Sequence, residues 1–196
     1  IPGCPVARMS TSEEFFQVLD RETKESKYLP LWVGELYLEY HRGTYTSMAR
    51  NKRYNRKSEL AYQSEETYAM MDKLLLGGEY PKEELREGWQ EILLNQFHDI
   101  LPGSSIKEVY EDSQQSYEKI LEDSRRRTEN SLRNLTAHID VPQHSVAVFN
   151  PNSFEGPGIV SFECPEAMEN PGLWDGEKEI PLQNTEGRTY IFTAQG

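Results

Sequence analysis

A histidine and an aspartate stand side by side, at His98 and Asp99, where an amphipathic helical pattern comes to an end. Pro102 and Gly103, which follow shortly afterwards, are typical helix-ending residues. A histidine in the last turn of a helix is most often a cap that suits the helix dipole. A carboxylate in that turn, as expected here for Asp99, is disfavoured by about 0.3 to 1 kcal/mol. An interaction of the Asp99 carboxylate with a cation or a sugar hydroxyl would offset this cost.

A second polar segment, residues 34–47, interleaves tyrosines with carboxylates, a histidine and an arginine. Sugar sites use aromatic rings, which stack on C–H surfaces, together with polar groups that hydrogen-bond to hydroxyls. His41 and Tyr45 are the candidate sugar-binding residues of this segment. A surface loop whose tyrosines pack against helices would have the same composition, so the residues alone leave both interpretations open.

Three long helical patterns would position these two segments. The first ends at Gly77-Gly78, the second starts near Pro81, and the third begins at the capping-box spacing of Ser105 and Glu108. Near-heptad steps continue the third pattern to the region of residue 139, which corresponds to a rod of about 50 Å. Helices in this order predict an antiparallel three-helix bundle.

The same patterns predict which side of each helix faces the bundle. The predicted inner residues of the first helix are Leu60, Ser64, Thr67, Met71, Leu74 and Leu75. Those of the second helix are Leu85, Trp89, Ile92, Leu93 and Phe97. Those of the third helix are Ile106, Tyr110, Ser113, Tyr117, Ile120, Ser124, Thr128, Leu132, Leu135 and Ile139.

Shorter elements flank the bundle. Thr11 and Glu14 have capping-box spacing and predict a short helix that starts near residue 11, and residues 29–33 predict a buried strand. Beyond the bundle, residues 145–150, 159–163 and 189–193 are strand-like, and prolines and glycines separate them as in a β-sandwich. The expected fold class is therefore α+β.

Composition excludes several classes of function. The 196 residues carry a formal net charge of −12, which disfavours long-range attraction to nucleic acid or to anionic membrane surfaces. No apolar run approaches the roughly 20 residues that cross a bilayer. Cys4 and Cys164 lie near opposite ends of the chain and form neither a disulfide framework nor a metal-type pair, so the cytoplasm is the expected location.

Three stretches together resemble the α-mannosidases of glycoside hydrolase family 38. They are Gly-Glu-Leu-Tyr-Leu-Glu at 34–39, His-Arg-Gly-Thr-Tyr-Thr-Ser at 41–47, and Gln-Phe-His-Asp-Ile-Leu-Pro-Gly-Ser-Ser-Ile at 96–106. The resemblance implies an internal piece of such an enzyme: the end of the catalytic α/β barrel over residues 1–44, a three-helix middle domain over 45–140, and the start of the C-terminal β-domain over 141–196. The Val-Phe-Asn-Pro turn at 148–151 fits the opening of that last domain.

The resemblance also implies roles for individual residues. His98 would be a zinc ligand, Asp99 would bind sugar hydroxyls beside the metal, and His41 matches a position where some relatives stack an aromatic ring under the mannose. In the family the nucleophile and the acid/base carboxylate belong to the barrel, upstream of this chain. We therefore expect these residues alone to be inactive toward α-mannosides and to bind little or no zinc, because one histidine and one aspartate are too few ligands.

Two further features of the sequence allow other interpretations. His138-Ile139-Asp140 has the spacing of the family's metal-binding pair, but its place at the end of the third helical pattern predicts a helix terminus. The whole chain could instead be a non-catalytic helical binding or scaffold module, since its helix faces are acidic and suited to solvent. A homo-oligomer of the whole protein is compatible with these residues but does not follow from them.

Overall fold

The structure, a computed structural model, describes residues 3, 5–36, 38–142, 144–164 and 171–195, and for Tyr40 the backbone alone. Cys4 lies outside the described residues. The chain divides into two units, Ile1–Arg42 and Gly43–Gly196, and each has its own internal contacts.

The first unit contains one α-helix. Helix α1 spans Ser12–Thr23, and the Thr11 side chain accepts a hydrogen bond from the Glu14 amide at 3.2 Å, so the predicted short helix and its cap are confirmed. The strand predicted for residues 29–33 is wrong. Leu31 is 89% exposed and Val33 is 85% exposed, and these residues pair with no strand in the described part of the molecule. An apolar run forms a strand only where a neighbour takes up its backbone hydrogen bonds.

Three long helices form the bundle of the second unit. Helix α2 spans Ala49–Leu76, α3 spans Lys82–Asn95, and α4 spans Lys107–Thr136. Hydrogen bonds join Asn51 to Ser113 and Asp72 to Asn134, so α2 and α4 run parallel to each other. Helix α3 follows α2 in the chain, runs in the opposite direction and packs against both other helices. The predicted antiparallel bundle is confirmed as an up-down-up arrangement.

The predicted inner face of α2 is wrong. Leu74 is 74% exposed and Leu75 is 68% exposed, while the buried residues are mostly polar. They are Asn51, Asn55, Ser58, Tyr62, Glu65, Tyr68, Ala69 and Asp72, at heptad steps. These polar groups are tolerated inside because α4 offers matching partners: Glu65, which is 1% exposed, forms an ion pair with Arg127. Packing of α2 is thus decided by hydrogen bonding across the helix pair.

The other two helices agree better with their predicted faces. In α4 the predicted residues from Tyr110 to Ser124 are buried, and then Ser131 replaces Thr128 and Leu132 as the buried position. In α3, Leu85 and Ile92 are buried as predicted, whereas Leu93 is 59% exposed; Phe97, predicted for the same face, lies beyond the end of the helix and is 50% exposed. The shift in α4 begins where Arg127 turns toward α2 to meet Glu65.

A small aromatic and aliphatic core lies between the helices. Its buried members are Tyr62, Leu85, Ile92, Tyr117 and Ile120. Trp89 packs edge-on against the Tyr62 ring at 5.5 Å between ring centres. A methyl group on Gly88 would lie 1.8 Å from the Tyr62 hydroxyl, so only glycine lets α3 approach α2 this closely.

The last part of the chain forms two small antiparallel sheets. Strands β1 (Gly158–Glu163), β5 (Thr189–Ala194) and β4 (Gln183–Glu186) pair in that order, and β2 (Leu173–Asp175) pairs with β3 (Lys178–Ile180). The strands predicted over 159–163 and 189–193 are therefore confirmed, as is the α+β class.

The strand predicted for residues 145–150 is wrong. Within the described residues this segment pairs with no strand, and it contacts α2. The Tyr68 hydroxyl donates to the Phe149 carbonyl at 3.1 Å, and the two rings meet edge-on at 6.1 Å.

Cys164 is a buried free thiol. None of the described helices is long and apolar enough to span a membrane.

Candidate functional site

The histidine and aspartate lie beyond α3, not in its last turn. The helix ends at Asn95, and the amides of Gln96 and Phe97 bond back to the carbonyls of Leu93 and Leu94. Such tightened bonds satisfy the last free carbonyls and close the helix early. The expectation that Asp99 opposes the helix dipole from within the last turn is therefore wrong. His98 and Asp99 belong to a turn over residues 97–105, called the His-Asp turn below.

Ser105, within the turn itself, and Tyr110, from α4, hold the backbone of this turn at Asp99. The Ser105 hydroxyl donates to the Asp99 carbonyl at 2.7 Å. The Tyr110 hydroxyl accepts from the Ser105 amide at 3.1 Å and lies 3.3 Å from the Asp99 carbonyl. The predicted capping box of Ser105 and Glu108 is wrong, because Ile106 is the N-cap and no side chain caps it. The Ser105 hydroxyl bonds to the Asp99 carbonyl instead of to α4.

The side chains of His98 and Asp99 remain accessible. Nε2 of His98 lies 3.5 Å from Oδ2 of Asp99, and the two side chains are 77% and 57% exposed. The imidazole ring also packs on Phe97, with 4.1 Å between ring centres. The fixed backbone thus presents an imidazole nitrogen and a carboxylate oxygen together at one end of the bundle.

A buried hydrogen-bond network anchors the start of the turn. Nε2 of Gln96 donates to Oδ1 of Asn55 at 3.0 Å and to Oε1 of Glu59 at 2.9 Å. The Tyr117 hydroxyl donates to the same Asn55 oxygen at 3.2 Å. Burial, together with the charge of Glu59, raises the pKa of Tyr117 well above its usual range, so this phenol stays a donor. The sequence did not predict that these residues support the turn, although polar residues at heptad steps in α2 were an available signal.

The loop that carries Tyr45 lies against the His-Asp turn. This segment, residues 43–48, is called the Tyr45 loop below. A Cβ atom on Gly103 would lie 2.7 Å from Cβ of Ser47, so the two segments are in close contact. Nζ of Lys52 donates to the Ser47 carbonyl at 2.5 Å and to the Leu101 carbonyl at 2.8 Å. Tyr45 itself is 75% exposed. The structure therefore brings Tyr45, His98 and Asp99 to the same end of the bundle.

The remaining candidate residues belong to the first unit and to the end of α4. His41 ends a single 3-10 turn, Glu39–His41, in the first unit of the chain, and its side chain is exposed. His138 and Asp140 follow the end of α4, where Nδ1 of His138 bonds to the Asn134 carbonyl at 2.9 Å. Their predicted place at a helix terminus is confirmed.

The donor chemistry of the His-Asp turn suits part of a zinc site. Zinc accepts imidazole nitrogen and carboxylate oxygen, and it usually takes four ligands. Across the described ranges, no group of three or more histidine, cysteine, aspartate or glutamate side chains could hold a metal ion. The imidazole of His98 fits as one ligand of such a site, beside the carboxylate of Asp99.

Comparison with known proteins points to one family. The model of the "Alpha mannosidase middle domain" matches residues 39–135, a range that includes the bundle and both segments of the candidate site. Alpha-mannosidase G of Dictyostelium discoideum is 41% identical over 134 residues, which cover 68% of this chain and 12% of that protein. An alpha-mannosidase of Saccharomyces cerevisiae is 43% identical over 102 residues, 51% of this chain and 9% of that protein.

The fold also matches a solved structure. A glycosyl hydrolase family 38 protein from Enterococcus faecalis superimposes with a TM-score of 0.59 over 94% of this chain, at 18% identity. The match covers 25% of that structure's chain. The chain thus spans about a tenth of the length of the curated relatives above, at 12% and 9%.

Proposed function

Because this chain belongs to the α-mannosidases of glycoside hydrolase family 38, we propose that it is part of an enzyme that hydrolyses terminal α-mannosides. The mechanism we propose is zinc-dependent and retains the configuration of the sugar. The observation that carries the proposal is the His-Asp turn, where a histidine and an aspartate 3.5 Å apart face solvent on a backbone that Ser105 and, from α4, Tyr110 hold by hydrogen bonds.

Within that enzyme His98 would serve as a zinc ligand and Asp99 would bind sugar hydroxyls. Zinc, when bound, supplies a Lewis acid that polarises and orients adjacent oxygens. A neutral imidazole suits such an ion. The Asp99 carboxylate would accept hydrogen bonds from sugar hydroxyls, and its orientation depends on the hydrogen bonds that Ser105 and Tyr110 donate to the Asp99 carbonyl.

Aromatic residues would complete the substrate side of the site. Tyr45 is 75% exposed on the loop next to the His-Asp turn, and we propose that its ring stacks on the C–H face of a sugar. His41 is proposed for the same stacking role on the ground of the family resemblance. The proposed substrate is an α-mannoside, and the proposed location is the cytoplasm, which agrees with a chain that has only two cysteines.

The bond-breaking groups would come from other parts of the enzyme. Retention requires a nucleophilic carboxylate and an acid/base carboxylate about 5 to 5.5 Å apart. We propose that both lie outside these residues, in the catalytic barrel. The 196-residue chain by itself should then release no sugar from an α-mannoside.

Release of p-nitrophenol from its α-mannoside tests the proposal. The whole protein should be active with zinc, and His98→Ala should reduce kcat/KM by at least about a hundredfold, as for loss of a metal ligand. The matched control is His138→Ala, which removes an exposed histidine at the end of α4 and should change little. An intact protein that stays inactive with added zinc would instead support a non-catalytic binding module.

A further inference from the structure

We propose that Lys52 is a positioning residue that fastens the Tyr45 loop to the His-Asp turn. The role of that pairing in sugar binding rests on the proposed function, but the fastening itself does not. Lys52 lies in the first turn of α2, between the two segments, and its ammonium group hydrogen-bonds to one backbone carbonyl of each.

The contacts of Lys52 differ from those of an ordinary surface lysine. A lysine usually extends its ammonium group into water or pairs it with a carboxylate. Here the acceptors are the carbonyls of Ser47, at 2.5 Å, and Leu101, at 2.8 Å. No carboxylate forms an ion pair with Lys52 among the residues that the structure describes. Partial burial also lowers its pKa, which agrees with an ammonium group drawn out of solvent.

The helix itself gains nothing from a cation at this position. The N-terminal turn of a helix favours negative charge, and the first turn of α2 has no acidic residue. Lys52 is therefore unfavourable for α2 taken alone. The contacts that it makes are with the two carbonyls that it joins.

The two segments also touch directly beside Lys52. Gly103 has φ +98°, and a Cβ atom on it would lie 2.7 Å from Cβ of Ser47. A lysine across such a contact can set the separation of the two backbones. Movement of the Leu101 carbonyl would also move Asp99, two residues earlier in the same turn.

Amide hydrogen exchange on the 196-residue chain tests the fastening. Lys52→Met removes the ammonium group and keeps most of the side-chain length. Exchange should accelerate about tenfold at the hydrogen-bonded amides of Ser47 and Gly103, because two charge-assisted bonds are lost. Lys57→Met, which removes an exposed lysine from the same helix, is the control and should leave these amides unchanged. Unchanged exchange in Lys52→Met would overturn the proposal.

Steady-state kinetics of the whole protein test the consequence for the sugar site. Lys52→Met should raise KM for p-nitrophenyl α-mannoside about tenfold and leave kcat within about twofold, since substrate contacts are displaced but the reacting carboxylates are not. Lys52→Arg, which keeps charged donors, should hold KM within about threefold of the native value. A kcat that falls as much as the KM rises, or an arginine variant no better than methionine, would contradict a positioning role.

The two measurements separate the proposals. If the intact protein shows no mannosidase activity, the proposed function fails, while accelerated exchange in Lys52→Met still supports the fastening. If activity is present and exchange is unchanged, the fastening fails and the function stands.

Discussion

The two connections of the bundle are stabilised in different ways. The α2–α3 connection is closed by its own backbone: Gly77 has φ 75°, and its amide bonds to the carbonyls of Asp72 and Lys73. The His-Asp turn, between α3 and α4, is held by side chains from α2 and α4, among them Lys52 and Tyr110. A local cap is sufficient for a connection that only reverses the chain. A turn that must present two functional side chains in a fixed orientation needs support from distant residues.

The two glycines test this difference most strongly. Gly103→Ala should lower the free energy of unfolding by about 2 to 3 kcal/mol, because the new methyl group meets Ser47 and the backbone keeps a positive φ. Gly77→Ala should lower it by only about 1 kcal/mol, since its surroundings are open and only the backbone is strained. Urea unfolding of the 196-residue chain measures both. Equal losses would mean that the Tyr45 loop does not restrict the turn.

Removal of one hydroxyl should weaken the His-Asp turn without changing its packing. Tyr110→Phe leaves the Ser105 amide without its acceptor and takes a donor from the Asp99 carbonyl, so we expect a loss of about 1 to 2 kcal/mol. Tyr28→Phe, at a residue that is 96% exposed, is the control and should have no effect. Urea unfolding measures both variants. Equal free energies of unfolding for the two would show that the turn does not depend on the Tyr110 hydroxyl of α4.

The smallest effect is expected near the α2–α3 connection. Leu74 is 74% exposed at the end of α2, so Leu74→Asn should change the free energy of unfolding by less than about 0.5 kcal/mol. Thermal unfolding of the variant is a sufficient measurement. A loss of several kcal/mol would mean that the apolar side of α2 is packed after all.

Local signals in the sequence predicted the parts of the fold that local chemistry determines. Glycine and proline marked the ends of α2 and the start of α3, and a threonine cap marked α1. The lysine and tyrosine that hold the His-Asp turn could not be predicted in the same way. Lys52 and Tyr110 act on residues far along the chain or across a turn, and nothing in their immediate neighbours shows which carbonyls they reach.

The inner face of α2 shows the same limit. Its leucines and methionines repeat at helical steps, which is normally the mark of a buried face. The observed face is polar because Asn51 meets Ser113 and Glu65 meets Arg127 on α4. A buried polar residue is stable only when it has a hydrogen-bonding partner. The partner of Asn51 lies 62 residues further along the chain, so the sequence around Asn51 does not reveal it. The pattern of one helix alone therefore predicted the wrong side.

For the candidate site, the sequence identified which residues to examine, and the structure added how they are held. His98, Asp99 and Tyr45 were singled out by type and spacing and lie at one end of the bundle. Their roles toward zinc and sugar stay predictions, as does the role of His41. The supporting residues, Gln96 among them, became visible only through their contacts.

The activity of an Asp99→Asn variant of the whole protein tests most directly whether the His-Asp turn belongs to a sugar site. The substitution keeps the shape of the side chain and the hydrogen bonds to the Asp99 backbone, but removes the negative charge. We predict that kcat/KM for p-nitrophenyl α-mannoside falls by at least about a hundredfold, while Asp140→Asn, at the opposite end of α4, changes it little. An Asp99→Asn enzyme with native kcat/KM would contradict the assignment of this turn to the sugar site.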